Sequence, residues 1–291
     1  MLSVNVIISH EIERIFFMRV IKIGTWNISE CVSATWNLSD GSGINQADGA
    51  SGLLLRANEI VDRINYEVPD IVCFQEFPVF TGYELSLKDL ITNRTELKYC
   101  VQVDTCPSFL FSGGKIGVAL FSKYEISEYK ISYFIKPDLS FYNKKGKLIE
   151  PFDKGIITSY INVDGLSFAI VTGHAIGFAP FNAIAENYPE SYMPLLDAIV
   201  DAKKKVDSLF LIGDFNTEKL TTILPDLDNI LIDRLEGPTT PKGEMEGHFF
   251  ANGRKLDYFM TTPDVDVINI RKINNFSDHF FCVCTCFFKE N

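Results

Sequence analysis

Residues 208–216 read SLFLIGDFN and residues 69–76 read PDIVCFQE. Each is a short apolar run that stops on an acid or an amide. A run this short, apolar at consecutive positions, predicts a strand covered on both faces. Working outward, strand patterns recur at 19–27, 71–77, 99–103, 117–122, 128–134, 156–163, 166–173, 208–213, 256–261, 265–270 and 279–288. The sequence VDG at 163–165 predicts a tight hairpin turn. Apolar residues at helical spacing (Leu53, Leu54, Ala57, Ile60, Val61, Ile64) predict a helix over 53–66, and weaker patterns predict helices at 85–92 and 192–206. Hairpin-linked and helix-linked strands occur together. The expected fold is therefore α/β of the α+β kind, with one mixed β-sheet or two packed ones flanked by helices.

The chain has 291 residues, 46% of them apolar and 22% charged, which is globular composition and excludes disorder or a coiled coil. No repeat or linker interrupts it. One domain over 18–291 is expected, because MRVIKIGTWN opens a strand at Met18, with 1–17 as an N-terminal extension. The alternative is that 1–17 packs on the domain as an added strand or helix. No apolar run approaches the ~18 residues of a membrane span. A net charge of −11 argues against a generally basic nucleic-acid binder. It still allows an enzyme that grips one phosphate with a few local cations and a metal. Seven cysteines, an odd number at irregular spacing, do not form a disulfide framework. Cys282, Cys284 and Cys286 alternate in FCVCTCFF and share one face of a strand. They read as small apolar residues, since structural zinc ligands come as paired short-spaced motifs. The pattern suits a reducing compartment, the cytoplasm.

Polar residues are expected repeatedly at the C-terminal ends of the apolar strands, where open α/β sheets place their active sites. They are Asn27 after IKIGTW, Glu76 after IVCFQ, His174 after FAIVTG, Asp214 and Asn216 in GDFN, Asp257 in KLDYF, and Asp278 with His279 in FSDHF. Singly, each reads as a turn former or a cap. Jointly they supply acids, amides and two of the four histidines, and accident does not explain the set.

The segments TWNI (25–28), PDIVCFQE (69–76), VTGH (171–174), GDFNTE (213–218), LDYF (256–259) and SDH (277–279) are similar, in order, to those of the endonuclease/exonuclease/phosphatase superfamily, the group that includes pancreatic-deoxyribonuclease-like enzymes. The resemblance spans about residues 19–288. It implies a four-layer sandwich, two sheets face to face with helices outside, and metal-dependent cleavage of a phosphate ester. It implies His279 as general base with Asp257 holding its tautomer, Asp214 and Asn216 orienting the nucleophile and touching the phosphate, and His174 at a phosphate oxygen or the leaving group. It also implies Glu76 and Asn27 as metal ligands, with Asp278 beside the metal. Residue chemistry agrees. A phosphodiester is anionic and repels a nucleophile, so charge must be neutralised and a water aligned. Hard oxygen donors suit Mg²⁺, with Mn²⁺ the second choice. Lys154 in DKGII is a candidate phosphate contact, the alternative being a solvated lysine at a strand start. Lys144, Lys145 and Lys147 read as a loop tip, and 203–205 as a solvated helix end. The chain departs from its relatives in TGH at 172–174 and in Phe280 and Phe281 after SDH.

Substrate choice is expected in loops 29–51 (with Trp36), 175–191 (Phe178, Phe181, Tyr188) and 235–254 (His248, Phe249, Phe250). Aromatics there either stack on bases or line an apolar pocket, or they simply pack the loops. The leading expectation is a phosphodiesterase acting on nucleic acid or a nucleotide. The alternatives are a phosphatase or phospholipase-type enzyme on an inositol or lipid phosphate, and a non-catalytic binding module, against which all the acids and histidines are present.

Overall fold

The computed structural model describes residues 19–31, 49–79, 86–108, 113–143, 146–241 and 253–289. The N-terminal extension, Trp36, Lys144, Lys145, His248, Phe249 and Phe250 lie outside the described residues.

In chain order the elements are β1 (Val20–Asn27), α1 (Gly49–Glu67), β2 (Ile71–Val79), α2 (Leu87–Arg94), β3 (Tyr99–Pro107), β4 (Lys115–Ser122), β5 (Ile126–Tyr133), β6 (Phe141–Tyr142), β7 (Leu148–Ile149), β8 (Gly155–Val163), β9 (Leu166–His174), α3 (Met193–Lys203), β10 (Ser208–Asp214), α4 (Leu220–Ile223), β11 (Ile232–Asp233), β12 (Asp257–Thr261), β13 (Val265–Ile273) and β14 (Phe281–Phe288). They build one sheet in the order β13-β14-β1-β2-β4-β3, a second in the order β11-β12-β10-β9-β8-β5, and a small β6-β7 hairpin. Both larger sheets are mixed: β1 runs parallel to β2, β9 runs parallel to β10, and their other pairings are antiparallel.

The period of two explains why the central strands are apolar at every position. On β2, Ile71 and Cys73 face the second sheet while Val72 and Phe74 face α1 and α2. On β10, Phe210 and Ile212 face the first sheet while Leu209 and Leu211 pack under α3. Three apolar layers therefore alternate with four layers of backbone, α1 and α2, sheet, sheet, α3. Cys282, Cys284 and Cys286 lie in the layer between the sheets, beside Ile21 and Ile23. All seven cysteines are free thiols, and all but Cys100 are buried.

The expected VDG hairpin joins β8 to β9, with Asp164 and Gly165 at φ 49° and 86°. Both central residues thus take the left-handed backbone of a twist-matched two-residue turn. Three expectations need correction. The strand expected at 71–77 runs on to Val79 through a bulge at Glu76. His279 precedes β14 instead of opening it. The loop expected over 29–51 contains a 3₁₀ turn at Ser29–Cys31 and, from Gly49, the first residues of α1.

Strand direction alone collects the candidate residues on one rim. Asn27, His174 and Asp214 end the parallel strands β1, β9 and β10. The antiparallel neighbours β8, β12 and β14 start at that same rim, so Asp257 and the Asp278–His279 pair stand at strand starts and not at the C-terminal strand ends expected for them, and Lys154 arrives in the same way.

Candidate active site

Asp214 lies in register with His174 on one side and with Asp257 on the other, so three ionisable side chains stand abreast on adjacent strands. Close approach of the strands depends on glycine: a Cβ on Gly213 would stand 2.3 Å from the carbonyl oxygen of Gly173, and Gly213 has φ 148°. Past the strand, Asn216 takes φ 52°. Its backbone N–H donates to Asp214 Oδ1 at 2.9 Å, and its side-chain amide donates to the Ala175 carbonyl at 3.0 Å.

His279 Nδ1 is 2.7 Å from Asp257 Oδ2. A carboxylate there makes Nδ1 the donor and turns Nε2 toward the cleft. His279 Nε2 lies 3.6 Å from Asp214 Oδ2. The same oxygen accepts from Asn27 Nδ2 at 3.0 Å and stands 3.7 Å from His174 Nε2. On the far side of His174, Lys154 Nζ is 3.2 Å from Nδ1. An ammonium can only donate, so Nδ1 is the acceptor there and Nε2 carries the proton. Lys154 is buried, not the solvated lysine that was the alternative reading.

The two histidines are thus driven apart. Burial depresses the pKa of His174, and the Lys154 and His279 charges push it further, well below the usual histidine value. Burial also works against charge on His279, but Asp257 and Asp214 outweigh it and hold its pKa well above 6.5. Asp214 is pushed up to about 6 by burial, with the Asp257 charge adding to this and His279 opposing it. Asp214 and His279, 3.6 Å apart, are thus each shifted toward the protonated form.

Glu76 occupies the bulge where β2 loses register against β4, at φ 52°. Such a bulge re-aims a side chain, and its strain is characteristic of functional positions. The Glu76 carboxylate is 4.0 Å from His174 Nε2. Burial raises its pKa to about 7; Lys154 and His279 oppose the rise, and the Asp278 and Glu30 charges add to it. The Asp278 charge acts on Glu76, and Asn27 Oδ1 accepts from the Ser29 backbone N–H at 3.0 Å with a second lone pair left; hard oxygen donors of this kind fit a divalent ion. A second acidic group, Asp214, Asp257 and His279, has its ligand atoms within 4.8 Å of one another. Its shortest contact is the 2.7 Å His279–Asp257 hydrogen bond, which leaves those two atoms committed to each other.

Several supporting residues were not read from the sequence as site residues. Ser277 Oγ donates to the Asn27 carbonyl at 2.7 Å and accepts from the His279 backbone N–H at 3.2 Å, tying the His279 loop to the end of β1. Thr239 Oγ1 accepts from the Asp257 backbone N–H at 3.0 Å. Asn275 receives the Trp26 indole N–H at 3.1 Å and donates to the His279 carbonyl at 2.9 Å. Glu30, buried at φ 54° in the turn after β1, accepts from Ser108. Ser277 stands inside the SDH motif, but a lone Glu30 or Thr239 carries no periodicity or spacing signal.

Two facing mixed sheets with acids, amides and two histidines on a common rim define a class of α+β sandwich hydrolases. The chain belongs to the Endonuclease/Exonuclease/phosphatase family, whose sequence model matches residues 24–279. Members of that family generally hydrolyse phosphoester bonds. The fold is similar to an endonuclease/exonuclease/phosphatase from Beutenbergia cavernae, at 16% identity and a TM-score of 0.66 over 93% of this chain and 72% of that one. It is also similar to the human Nocturnin catalytic domain, at 16% identity and a TM-score of 0.64 over 94% of this chain and 98% of that one. A mannosyl-6-phosphatase of Bacteroides thetaiotaomicron shares 15% identity at a TM-score of 0.58, over 92% of this chain and 100% of that one. No curated protein matches the sequence. At these identities the likeness is one of fold, and the site must speak for the substrate.

Proposed function

We propose that the chain is a metal-dependent phosphodiester hydrolase, a nuclease or nucleotide phosphodiesterase, in which a water beside His279 and Asp214 attacks phosphorus. The observation that carries this reading is the unbroken line Asp257, His279, Asp214, His174, Lys154, with successive contacts of 2.7, 3.6, 3.7 and 3.2 Å. Asp257 holds Nδ1 of His279 protonated, which aims Nε2 at the cleft as proton acceptor for the attacking water. Asp214, fixed by Asn27 and by the Asn216 backbone, orients that water. His174, kept neutral, offers Nε2–H to a phosphate oxygen, and Lys154 behind it supplies positive charge without displacing it. Asn216 retains one amide hydrogen for the phosphate. Glu76, Asn27 and Asp278 would hold Mg²⁺, or Mn²⁺, which when bound neutralises charge building on the phosphate oxygens.

The raised pKa values of His279 and Asp214 favour a second allocation of the same residues. Asp214 then takes the proton and His279 stays an imidazolium facing the phosphate. Seven free thiols fit a reducing compartment, which makes the cytoplasm the proposed location. Among the described residues no helix is long and apolar enough to cross a membrane.

Purified protein with Mg²⁺ should hydrolyse at least one member of a panel of single- and double-stranded DNA, RNA, dinucleotides, and inositol and lipid phosphates. EDTA and His279→Ala should each remove that activity. A folded protein inert on the diesters but active on a monoester would move the assignment to a phosphatase. Inertness on the whole panel would overturn it.

A further inference from the structure

A cavity of about 660 Å³ opens directly beside the line of catalytic candidates. Its inner end is formed by Glu76, Lys154, His174 and Asn216, and its outer walls by the β6-β7 hairpin and the 3₁₀ turn Ala179–Phe181. That volume lies inside the range of ~300–1,000 Å³ typical of small-molecule sites.

The outer walls are flat and apolar. Phe141 from β6 and Phe181 from the turn meet edge to face, their ring centroids 5.5 Å apart at 76°. Phe152 and Pro180 line the same space. Phe141 and Phe181 are half-buried and belong to none of the core clusters. The other aromatics of the 175–191 loop behave differently. Phe178 is buried and stacks on Tyr188 at 5.2 Å, and both join the core under α3. One loop thus divides its aromatics between packing and cavity, and Phe181 is the one turned to the cavity. The rim is polar, with Asn143, Lys147 and Glu150.

A flat apolar wall, a polar rim and a phosphate-handling floor restrict the occupant. An acyl chain would leave the polar rim without partners, and a polyol would meet the rings through C–H groups alone, with no π face to stack. A heteroaromatic ring lays one face on Phe181, meets Phe141 edge to face, and turns its own polar edge toward the rim. Resting on the phosphodiesterase reading above, we infer that this cavity seats a single nucleobase, whose own nucleotide phosphate lies at Lys154, His174 and Asn216. The substrate is then a small nucleotide diester or the unpaired terminal nucleotide of a single strand. A base inside a duplex cannot enter without leaving its stack.

Binding tests this without relying on turnover. Calorimetry in Mg²⁺ compares adenosine 5′-monophosphate, ribose 5-phosphate and inositol phosphate on the full chain and on Phe181→Ala and Phe181→Leu. Stacking is worth ~1–3 kcal/mol per base, so the nucleotide should bind about 5- to 150-fold more tightly than ribose 5-phosphate. Both variants should lose most of that preference while holding ribose 5-phosphate as before. Leucine keeps the apolar volume, so it serves if alanine loosens the loop. Equal affinity for the two phosphates, or an unchanged nucleotide preference in both variants, overturns the base seat even in an active diesterase. If the nucleotide preference holds but no diester is cleaved, the base seat stands and the catalytic reading falls. Competition arms separate the sources: a dinucleotide and a single-stranded oligonucleotide should displace the mononucleotide, and a blunt duplex that displaces it equally well overturns the inference.

Discussion

His279 and His174 both face Asp214, but at Nδ1 they differ: His279 meets the Asp257 carboxylate and His174 meets the Lys154 ammonium. If His279 is the proton acceptor, turnover should rise with pH through a value above 6.5, because the inactive imidazolium is the form its neighbours favour. If Asp214 accepts instead, the rise should fall near about 6 and a decline should follow once His279 loses its proton. A kcat profile against pH separates the two. His279→Ala should cost ~10³-fold in kcat, within the range of general-base catalysis combined with a lost phosphate contact. Asp257→Asn should also cost heavily, since an amide cannot stabilise the imidazolium. The double variant should be little worse than His279→Ala alone, as residues acting as one unit are not additive. Additive losses in variants with unchanged melting curves would break the pair apart.

At the scale of elements, the site depends on how closely β9 and β10 approach. Gly213→Ala would force a Cβ into the Gly173 carbonyl at 2.3 Å from a backbone that side chains avoid. Strain of this kind costs ~1–3 kcal/mol, and relief by moving the strands would pull His174 from Asp214. We expect a Tm lower by about 2–10 °C and a fall in kcat larger than that loss of stability explains. Tm and kcat unchanged together would show that the two strands can separate freely. The element scale is also where sequence and structure part. The strand-end positions of Asn27, His174 and Asp214 are legible, because apolar runs mark strands and strand ends mark the rim. The Glu76 bulge is not: a bulge depends on the partner strand, and Gln75 and Phe77 pair with adjacent residues Val118 and Gly117 of β4. The β6-β7 hairpin is too short to show a period, so only its lysines stood out in the sequence.

For the molecule as a whole, the net charge of −11 and the acidic rim make stability depend on pH and on cations. Glu76, Asp214 and His279 all bind protons more tightly folded than unfolded. The stability they supply is present at low pH. It is lost as pH rises from the carboxylate range through about 6 for Asp214, about 7 for Glu76 and higher for His279. His174 has the opposite sign and costs stability below 6.5. Without metal, Tm should therefore fall between about pH 6.5 and pH 8. Mg²⁺ should recover several degrees at the higher pH, because a ligand at ~100 times its Kd adds about 2.7 kcal/mol. At about pH 5, where Glu76 is protonated, the gain should be small. Glu76→Gln should abolish most of the Mg²⁺ shift and lower kcat ~10²-fold, partly restored at high Mg²⁺. A Mg²⁺ shift of equal size in Glu76→Gln would place the ion elsewhere.

Local pattern sufficed to mark the long strands, the cover of the central ones on both faces, and the polar residues Asn27, His174 and Asp214 at their ends. It could do so because a period of two and an abrupt apolar-to-polar change are local properties of the chain. Which of those ends meet is set by strand pairing between segments distant along the chain. Asp257 and His279 are 22 residues apart in sequence and 2.7 Å apart in space because β12 and β14 run antiparallel to β10 and β1, in two different sheets. The burial of Lys154, the opposite charge preferences of the two histidines and the walls of the cavity follow from that pairing. Each depends on neighbours distant along the chain, and desolvation and Coulomb energy act through space.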